Sequence, residues 1–535
     1  MTSTQTAFDY IIVGAGSAGC VLAARLSKDP NVSVCLLEAG GPDKSIFIHA
    51  PIGLAAMLPT KLHNWAFKTI PQQGLNGRKG YQPRGKTLGG SSSTNAMLYV
   101  RGNKWDYDNW AALGNDGWSY KDILPYFKKS EGNEAFQDKY HNVSGPLGVS
   151  NETDASDLNK MFIDACVQQG IKHTQDCNGA EQEGAFLYQR TIKNGERCSA
   201  AKAFLTPNIA RKNLTIITHA LTEKVLFEDK IAVGVRYKKN NKSIEIHCNK
   251  EVILSSGAFG SPQILMLSGV GDSEHLKEKD IAPIHELPGV GQNLQDHIDY
   301  IQTFKIDGKH DTFGYSVRGS LRILKSMFEW RKKRTGKVTS TFAESGAFFS
   351  TQSNLVAPDA QLIFVPAIAD NHARTMNFGH GYSCHITLLR PESIGEVKLN
   401  SNNPKDSLAI DPKFFKHESD MAIIKKAAKK MQNILEAAPF SAIRKDMLYP
   451  VENGNDAQLE HDIRNRADTQ YHPCGTCKMG PKSDGMAVVD SQLRVHGMEN
   501  LRVVDASIMP KIITGNTNAP TIMIGEKAAD MILAK

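Results

Sequence analysis

Residues 8–19 read FDYIIVGAGSAG, an apolar run that passes without interruption into Gly14, Gly16 and Gly19. Phe8 to Val13 has the composition of a buried strand. The spacing predicts a helix from Cys20 to Ser27 with Val21, Leu22, Ala24 and Leu26 apolar, a turn at Lys28 to Asn31, and a second strand, Val32 to Leu37, closed by Glu38. That order is a βαβ unit with a dinucleotide-binding turn. The glycines allow a tight turn, close backbone approach to a pyrophosphate and close packing of helix on strand, and the helix N-terminus offers N–H groups to the phosphates. Glu38 is placed to accept hydrogen bonds from an adenosine ribose and would repel the extra phosphate of NADP. The motif alone leaves FAD and NAD both open.

A chain of 535 residues should hold more than one core. Hydrophobic residues at 41% and charged residues at 22% are the proportions of a soluble globular protein. The N-terminus lacks a basic and then apolar leader pattern, and no apolar run reaches the ~20 residues of a membrane span, so a cytoplasmic chain is expected. Nine scattered cysteines imply reduced thiols rather than a disulfide framework. The net charge of +7 is concentrated between Arg318 and Lys337, where eight Lys/Arg face Glu329 alone. Val317, Leu321, Leu324 and Phe328 align along one side of a helix predicted from Ser316 to Arg334, with basic residues opposite. Two readings follow: a helix packed on its own domain with a solvated basic face, or one lying on an anionic membrane surface through residues 316–337. No nucleic-acid motif accompanies the charge, and no nucleic-acid partner is expected.

A second glycine-rich segment, RGKTLGGSSSTNAM at residues 84–97, lies outside the first βαβ unit. It resembles a signature of the glucose-methanol-choline (GMC) family of FAD-dependent alcohol oxidoreductases. Residues 257–271, GAFGSPQILMLSGVG, resemble the second signature of that family, and PGVGQNLQDH at 288–297 and VDASIMP at 504–510 are similar to further family segments. The resemblance is closest to bacterial alcohol dehydrogenases of alkane breakdown, then to choline dehydrogenases. It implies an α/β (α+β overall) architecture: a discontinuous Rossmann-like FAD-binding domain at 1–155, 213–300 and 465–535, with an inserted substrate-binding domain at 156–212 and 301–464 that contains a mostly antiparallel sheet. By motif position it implies cofactor contacts from Gly14, Gly16, Ser17, Ala18, Gly19, Glu38 and Ala39. Further contacts are implied for Trp65, Arg84, Thr87, Gly90, Asn95, Ala96, Val225, Asp505, Ala506, Asn516 and Thr517. Thr94 stands where members with covalent flavin carry histidine, so non-covalent FAD is expected.

Residues 471–480, YHPCGTCKMG, contain a Cys-x-x-Cys. A zinc deaminase would also need His-x-Glu, and none of the seventeen histidines is followed by Glu two places on. No second Cys-x-x-Cys exists, so no metal site is expected. The pair also lacks the small-domain context of a redox dithiol. The resemblance makes His472 the active-site histidine and Asn516 its partner, with Glu344 a candidate substrate contact. It implies oxidation of primary, medium-chain aliphatic alcohols to aldehydes, with electrons passed to a quinone or respiratory chain at the cytoplasmic face of the inner membrane. An aryl-alcohol or choline oxidase or dehydrogenase, and a flavin-containing lyase, remain as alternatives.

Overall fold

The computed structural model of the protein describes residues 6–152, 155–314, 316–372 and 374–534. Ala7–Val13 forms the strand expected around Ile11 and Ile12, which have no exposed surface, as befits a strand covered on both faces. It pairs in parallel with Val34–Leu37 on one side and Lys242–Leu254 on the other. Leu214–Ile217 and Leu501–Val503 extend the parallel set, and an antiparallel meander of Leu221–Glu228 and Ile231–Lys239 completes a seven-stranded sheet. The parallel strands end together at Val13, Leu37, Leu254 and Val503, the edge where open α/β sheets bind their ligands.

The first helix spans Ser17–Leu26, starting three residues before the Cys20 expected, because Gly16 takes the extended cap conformation and Ser17 to Gly19 form the first turn. The second strand begins at Val34 rather than Val32, since the Val32 N–H is held in a turn by the Asp29 carbonyl at 3.1 Å. Gly14 has φ +102°, and a Cβ on it would lie 2.5 Å from the Ser255 carbonyl oxygen; a Cβ on Gly19 would lie 2.0 Å from the Gly14 carbonyl oxygen. Helix and turn can approach this closely only without side chains. Helix Asn518–Leu533 packs against Ser17–Leu26, joined by Ser17 Oγ donating to Asn518 Oδ1 at 2.8 Å and Arg25 Nε donating to the buried Glu526 at 2.7 Å.

A second, wholly antiparallel six-stranded sheet runs Asp468–Thr469, Ile298–Ile306, His380–Leu388, Ala360–Val365, Ser345–Phe349, Gly184–Leu187. Alternation sorts its residues by face. Tyr300, Phe304, Leu362, Phe364 and Tyr382 join a core with helices Asp157–Gln168 and Glu418–Leu435. Ile363, Val365 and His385 turn the other way, towards a cavity shared with the parallel sheet.

The basic helix spans Val317–Lys333 and is capped by Ser316, whose Oγ accepts the Gly319 N–H at 3.0 Å. It packs on its own domain through Gly319, Ser326 and Trp330, the buried positions among its described side chains, and its apolar stripe faces out.

Gly19→Ala places a methyl group against backbone that has no room for it. We expect a loss of about 1–3 kcal/mol of stability, read as a lowered Tm, with flavin content falling in parallel.

Candidate active site

A cavity of 740 Å³ runs from the glycine turn to the antiparallel sheet. At the nucleotide end it is lined by Gly14, Gly16, Ser17, Ala18, Glu38 and Ala39. The Glu38 carboxylate accepts N–H bonds from Ala15 at 3.1 Å and Gly40 at 2.8 Å. Burial pushes its pKa up to about 7, against the pull of those N–H groups and of Lys86. The second glycine segment closes over the first: Gly89 N–H donates to the Ala15 carbonyl at 2.7 Å, and a Cβ on Gly90 would come within 2.8 Å of Gly16 Cα. Trp65, Arg84, Gly90, Asn95 and Ala96 line the middle of the cavity. Trp65 stacks on Phe67 at 5.5 Å with the Lys86 ammonium 4.0 Å above its ring. Asp505, Ala506, Asn516 and Thr517 complete the lining, Asp505 holding the start of helix Gly257–Leu267 through the Gly257 N–H at 2.8 Å.

His472 and Asn516 meet across 44 residues of chain, His472 Nε2 lying 3.2 Å from Asn516 Nδ2. Two hydrogen-bond chains decide where the protons sit. His297 Nε2 is 3.0 Å from the Leu389 carbonyl, which can only accept, so Nε2 carries hydrogen. Burial lowers the His297 pKa to about 4, which leaves the ring neutral and its Nδ1 an acceptor. His472 Nδ1, 3.0 Å away, must therefore donate. On the other side Tyr188 donates to the Leu362 carbonyl at 3.1 Å and accepts from Gln361 Nε2 at 2.8 Å. The same Gln361 nitrogen lies 3.2 Å from Asn516 Oδ1, which turns the Asn516 amide nitrogen towards His472. Both chains thus leave the lone pair of His472 on Nε2. Burial, then His297 and Arg84, hold the imidazole well below its ordinary pKa, so it is a neutral acceptor facing the cavity. The His472 backbone N–H is fixed by Asp296 at 2.9 Å, and Arg84 donates to the neighbouring Tyr471 carbonyl.

Several residues expected at the site lie elsewhere. Glu344 has no exposed surface; it accepts from Asn159 Nδ2 at 2.6 Å, Ser340 Oγ at 2.7 Å and the Ser156 N–H at 3.1 Å, and is absent from the cavity wall. It is a structural acid rather than a substrate contact. Val225 spends its N–H on Ser268 Oγ at 2.8 Å, and Ala220, Leu221 and Thr222 line the cavity in its place. Thr87 turns away to donate to the Gly41 carbonyl at 3.0 Å. Gly19 sits under the turn, packed on Gly14. Cys474 and Cys477 are buried free thiols whose pKa values burial raises well above 9.0, unsuited to dithiol chemistry.

Sequence reasoning missed His297 and Gln361. His297 closes the segment PGVGQNLQDH, and Gln361 is the one polar residue of the strand AQLIFV at a position that alternation sends to the cavity face. For Gln361, a polar side chain among apolar neighbours was the available signal. It also missed Asp299, His372 and His385, whose ligand atoms lie within 4.8 Å of one another, the one group of metal-ligating spacing among the described residues. Asp299 is already engaged by His385 Nδ1 at 2.7 Å and Thr387 Oγ1 at 3.1 Å, and burial, then His385 and Arg374, hold His372 well below its ordinary pKa. His372 and His385 line the cavity, with Asp299 buried behind them and 3.3 Å from His372 Nε2.

Sequence models of the GMC oxidoreductase family match residues 8–299 (N-terminal part) and 391–525 (C-terminal part). The chain belongs to the GMC oxidoreductase family. It is 46% identical to the alcohol dehydrogenase [acceptor] of Pseudomonas putida over 99% of this chain and 96% of the relative. Identity to the mitochondrial choline dehydrogenase of Homo sapiens is 44% over 99% and 90%. Among solved structures, a formate oxidase variant of Aspergillus oryzae RIB40 studied for FAD modification superposes with a TM-score of 0.91 at 27% identity, covering 99% of both chains.

FAD is the cofactor this family and fold indicate, and the cavity suits it. The side-chain-free turn of Gly14 and Gly16 and the start of helix Ser17–Leu26 would hold the diphosphate, and Glu38 the ribose hydroxyls. The ionised Glu38 is the form that accepts from two hydroxyls. With a pKa about 7 in the free protein, that form is lost as pH falls through neutrality. The Kd of wild-type apoprotein for FAD should therefore rise below pH 7, by at most ~tenfold per pH unit for one proton. In Glu38→Gln, binding should be weaker and the pH dependence flat, both read by fluorescence quenching of added FAD.

Proposed function

We propose that the chain is an FAD-dependent dehydrogenase that oxidises primary, medium-chain aliphatic alcohols to aldehydes and passes the electrons to a quinone-type acceptor. The observation that carries this reading is the His472 Nε2 lone pair, held beside an Asn516 N–H and opening onto an apolar cavity. An alcohol oxygen placed between them would give its proton to Nε2 while the Asn516 amide donates to the developing alkoxide. Bound flavin supplies the acceptor for the hydride that then leaves the alcohol carbon. His297 keeps hydrogen on Nδ1 of His472, so only Nε2 can act as base. Gln361 keeps the Asn516 amide turned to the substrate oxygen. Burial and the Arg84 cation disfavour a lasting imidazolium, so His472 holds the proton only in passing.

Preference for an aliphatic alcohol is supported by Ile52, Leu54, Met57, Leu58, Ile363 and Val365 along the cavity wall. A choline-like cation would favour a free carboxylate. Glu38 and Asp505, the carboxylates among the described lining residues, are both engaged by backbone N–H groups. Thr94 lines the cavity and cannot make a histidyl bond, which supports dissociable FAD. No helix among the described residues is long and apolar enough to cross a membrane. A quinone acceptor suits a peripheral position on the cytoplasmic face of the inner membrane.

Mixed anaerobically with 1-octanol, the holoenzyme should lose its oxidised flavin absorbance quickly, with benzyl alcohol and choline slower. Unchanged absorbance with every alcohol overturns the reading, and rapid recovery on admitting oxygen would make the enzyme an oxidase. Acid precipitation should release the flavin. His472→Ala should keep FAD and lose ~10²–10⁴-fold in kcat. For the wild type, kcat/KM should fall only well below pH 6.5, because the depressed pKa keeps the base neutral to lower pH.

A further inference from the structure

We propose that helix Val317–Lys333 seats the enzyme on an anionic phospholipid surface and that the alcohol enters the cavity from the lipid beneath it. The inference rests on the apolar-alcohol reading above only for what enters, not for the docking. Val317 is 81% exposed, Leu321 62%, Leu324 53% and Phe328 70%, at intervals that place them on one stripe. The exposure follows from how the helix is held. Trp330 is buried against Ala50, Ile52 and Val338 and donates its Nε1–H to the Gly195 carbonyl at 2.7 Å. Ser326 Oγ accepts the Val338 N–H at 2.9 Å, and the capping Ser316 Oγ lies 2.8 Å from His380 Nε2. With these contacts made at both ends and in the middle, the stripe cannot turn inward.

Charge points to the kind of surface. Arg331, Lys332 and Lys333 are exposed immediately after Phe328, and Lys325 is exposed within the helix. Beside the N-terminal end, Phe378 is 82% exposed and Met376 62%, a few residues before the His380 that bonds Ser316. Exposed large apolar side chains bordered by cations are the chemistry that sits at the boundary of anionic headgroups and acyl chains. The same helix is part of the cavity wall: Gly319, Ser320, Ile323, Leu324 and Met327 line it. Leu324 and Met327, each 53% exposed, belong to both surfaces, so an alcohol leaving lipid beside them meets an apolar path inward.

The test is flotation of FAD-loaded enzyme with phosphatidylcholine vesicles, with or without phosphatidylglycerol. The wild type should float with the anionic vesicles and far less with phosphatidylcholine alone. The double variant Leu321→Asp/Phe328→Asp, at two positions that do not line the cavity, should stay at the bottom with full flavin content. Lys332→Glu/Lys333→Glu should lose the preference for phosphatidylglycerol. Wild-type enzyme that ignores both vesicles overturns the proposal. So does a concentration-dependent dimer abolished by the same Asp substitutions, which would assign the stripe to a second copy of the chain. For entry, the Asp variant should match the wild type on a short water-soluble alcohol in buffer and be slower by about tenfold or more on 1-octanol supplied in anionic vesicles. Equal rates on vesicle-borne 1-octanol overturn the entry route. Failure of 1-octanol to reduce either protein would overturn the substrate reading while flotation still decides docking.

Discussion

Backbone lying directly against backbone is the constraint on which the rest of the molecule depends. The turn at Gly14 to Gly19 touches the Ser255 carbonyl on one side and the Gly90 segment on the other, at distances no Cβ would allow. Because these segments meet without side chains between them, their N–H groups and the Glu38 carboxylate face one cavity at the carboxyl edge of the parallel sheet. The antiparallel sheet then closes that cavity from the opposite side and brings His385 and the His472 loop to it, with Gln361 behind Asn516.

The same economy governs the protons. A histidine pair or an asparagine amide is ambiguous in isolation, since each can present donor or acceptor. Here the ambiguity ends at two backbone carbonyls, Leu389 and Leu362, which cannot donate. Working inward from them fixes His297, then His472 on one branch, and Tyr188, Gln361 and then Asn516 on the other. Reactivity at Nε2 is therefore set by main-chain positions in the antiparallel sheet and the loop that follows it. An acid such as Glu344 could not serve that purpose, because its own hydrogen bonds to Asn159, Ser340 and Ser156 consume it.

What could be read in the sequence was local or carried by family resemblance. Gly14, Gly16, Gly19 and Glu38 announce the βαβ unit because the turn, helix and ribose acid lie within one contiguous stretch. His472 and Asn516 were legible only through resemblance, as nothing in their spacing says that they meet. His297 and Gln361 were missed since their role exists only across strands brought together by the fold. Glu344 was misplaced because its position in the sequence does not show which way its side chain turns. Periodicity showed that residues 317–333 have an apolar face; it could not show that Trp330, Ser326 and Gly319 would be chosen as the buried one.

Helix Asn518–Leu533 lies against helix Ser17–Leu26, and Leu501–Val503 completes the parallel sheet beside Lys242–Leu254. During synthesis the glycine-turn helix therefore waits for partners 501 residues further along the chain. A growing chain that has not reached Leu501 lacks Asn516, the Glu526 that pairs with Arg25, and an edge of its central sheet. Loops closed over some five hundred residues are slow to form. Until those segments are made, the N-terminal unit has an open sheet edge and an uncovered helix face, the kind of surface on which chaperones act, and is not a preassembled flavin-binding module.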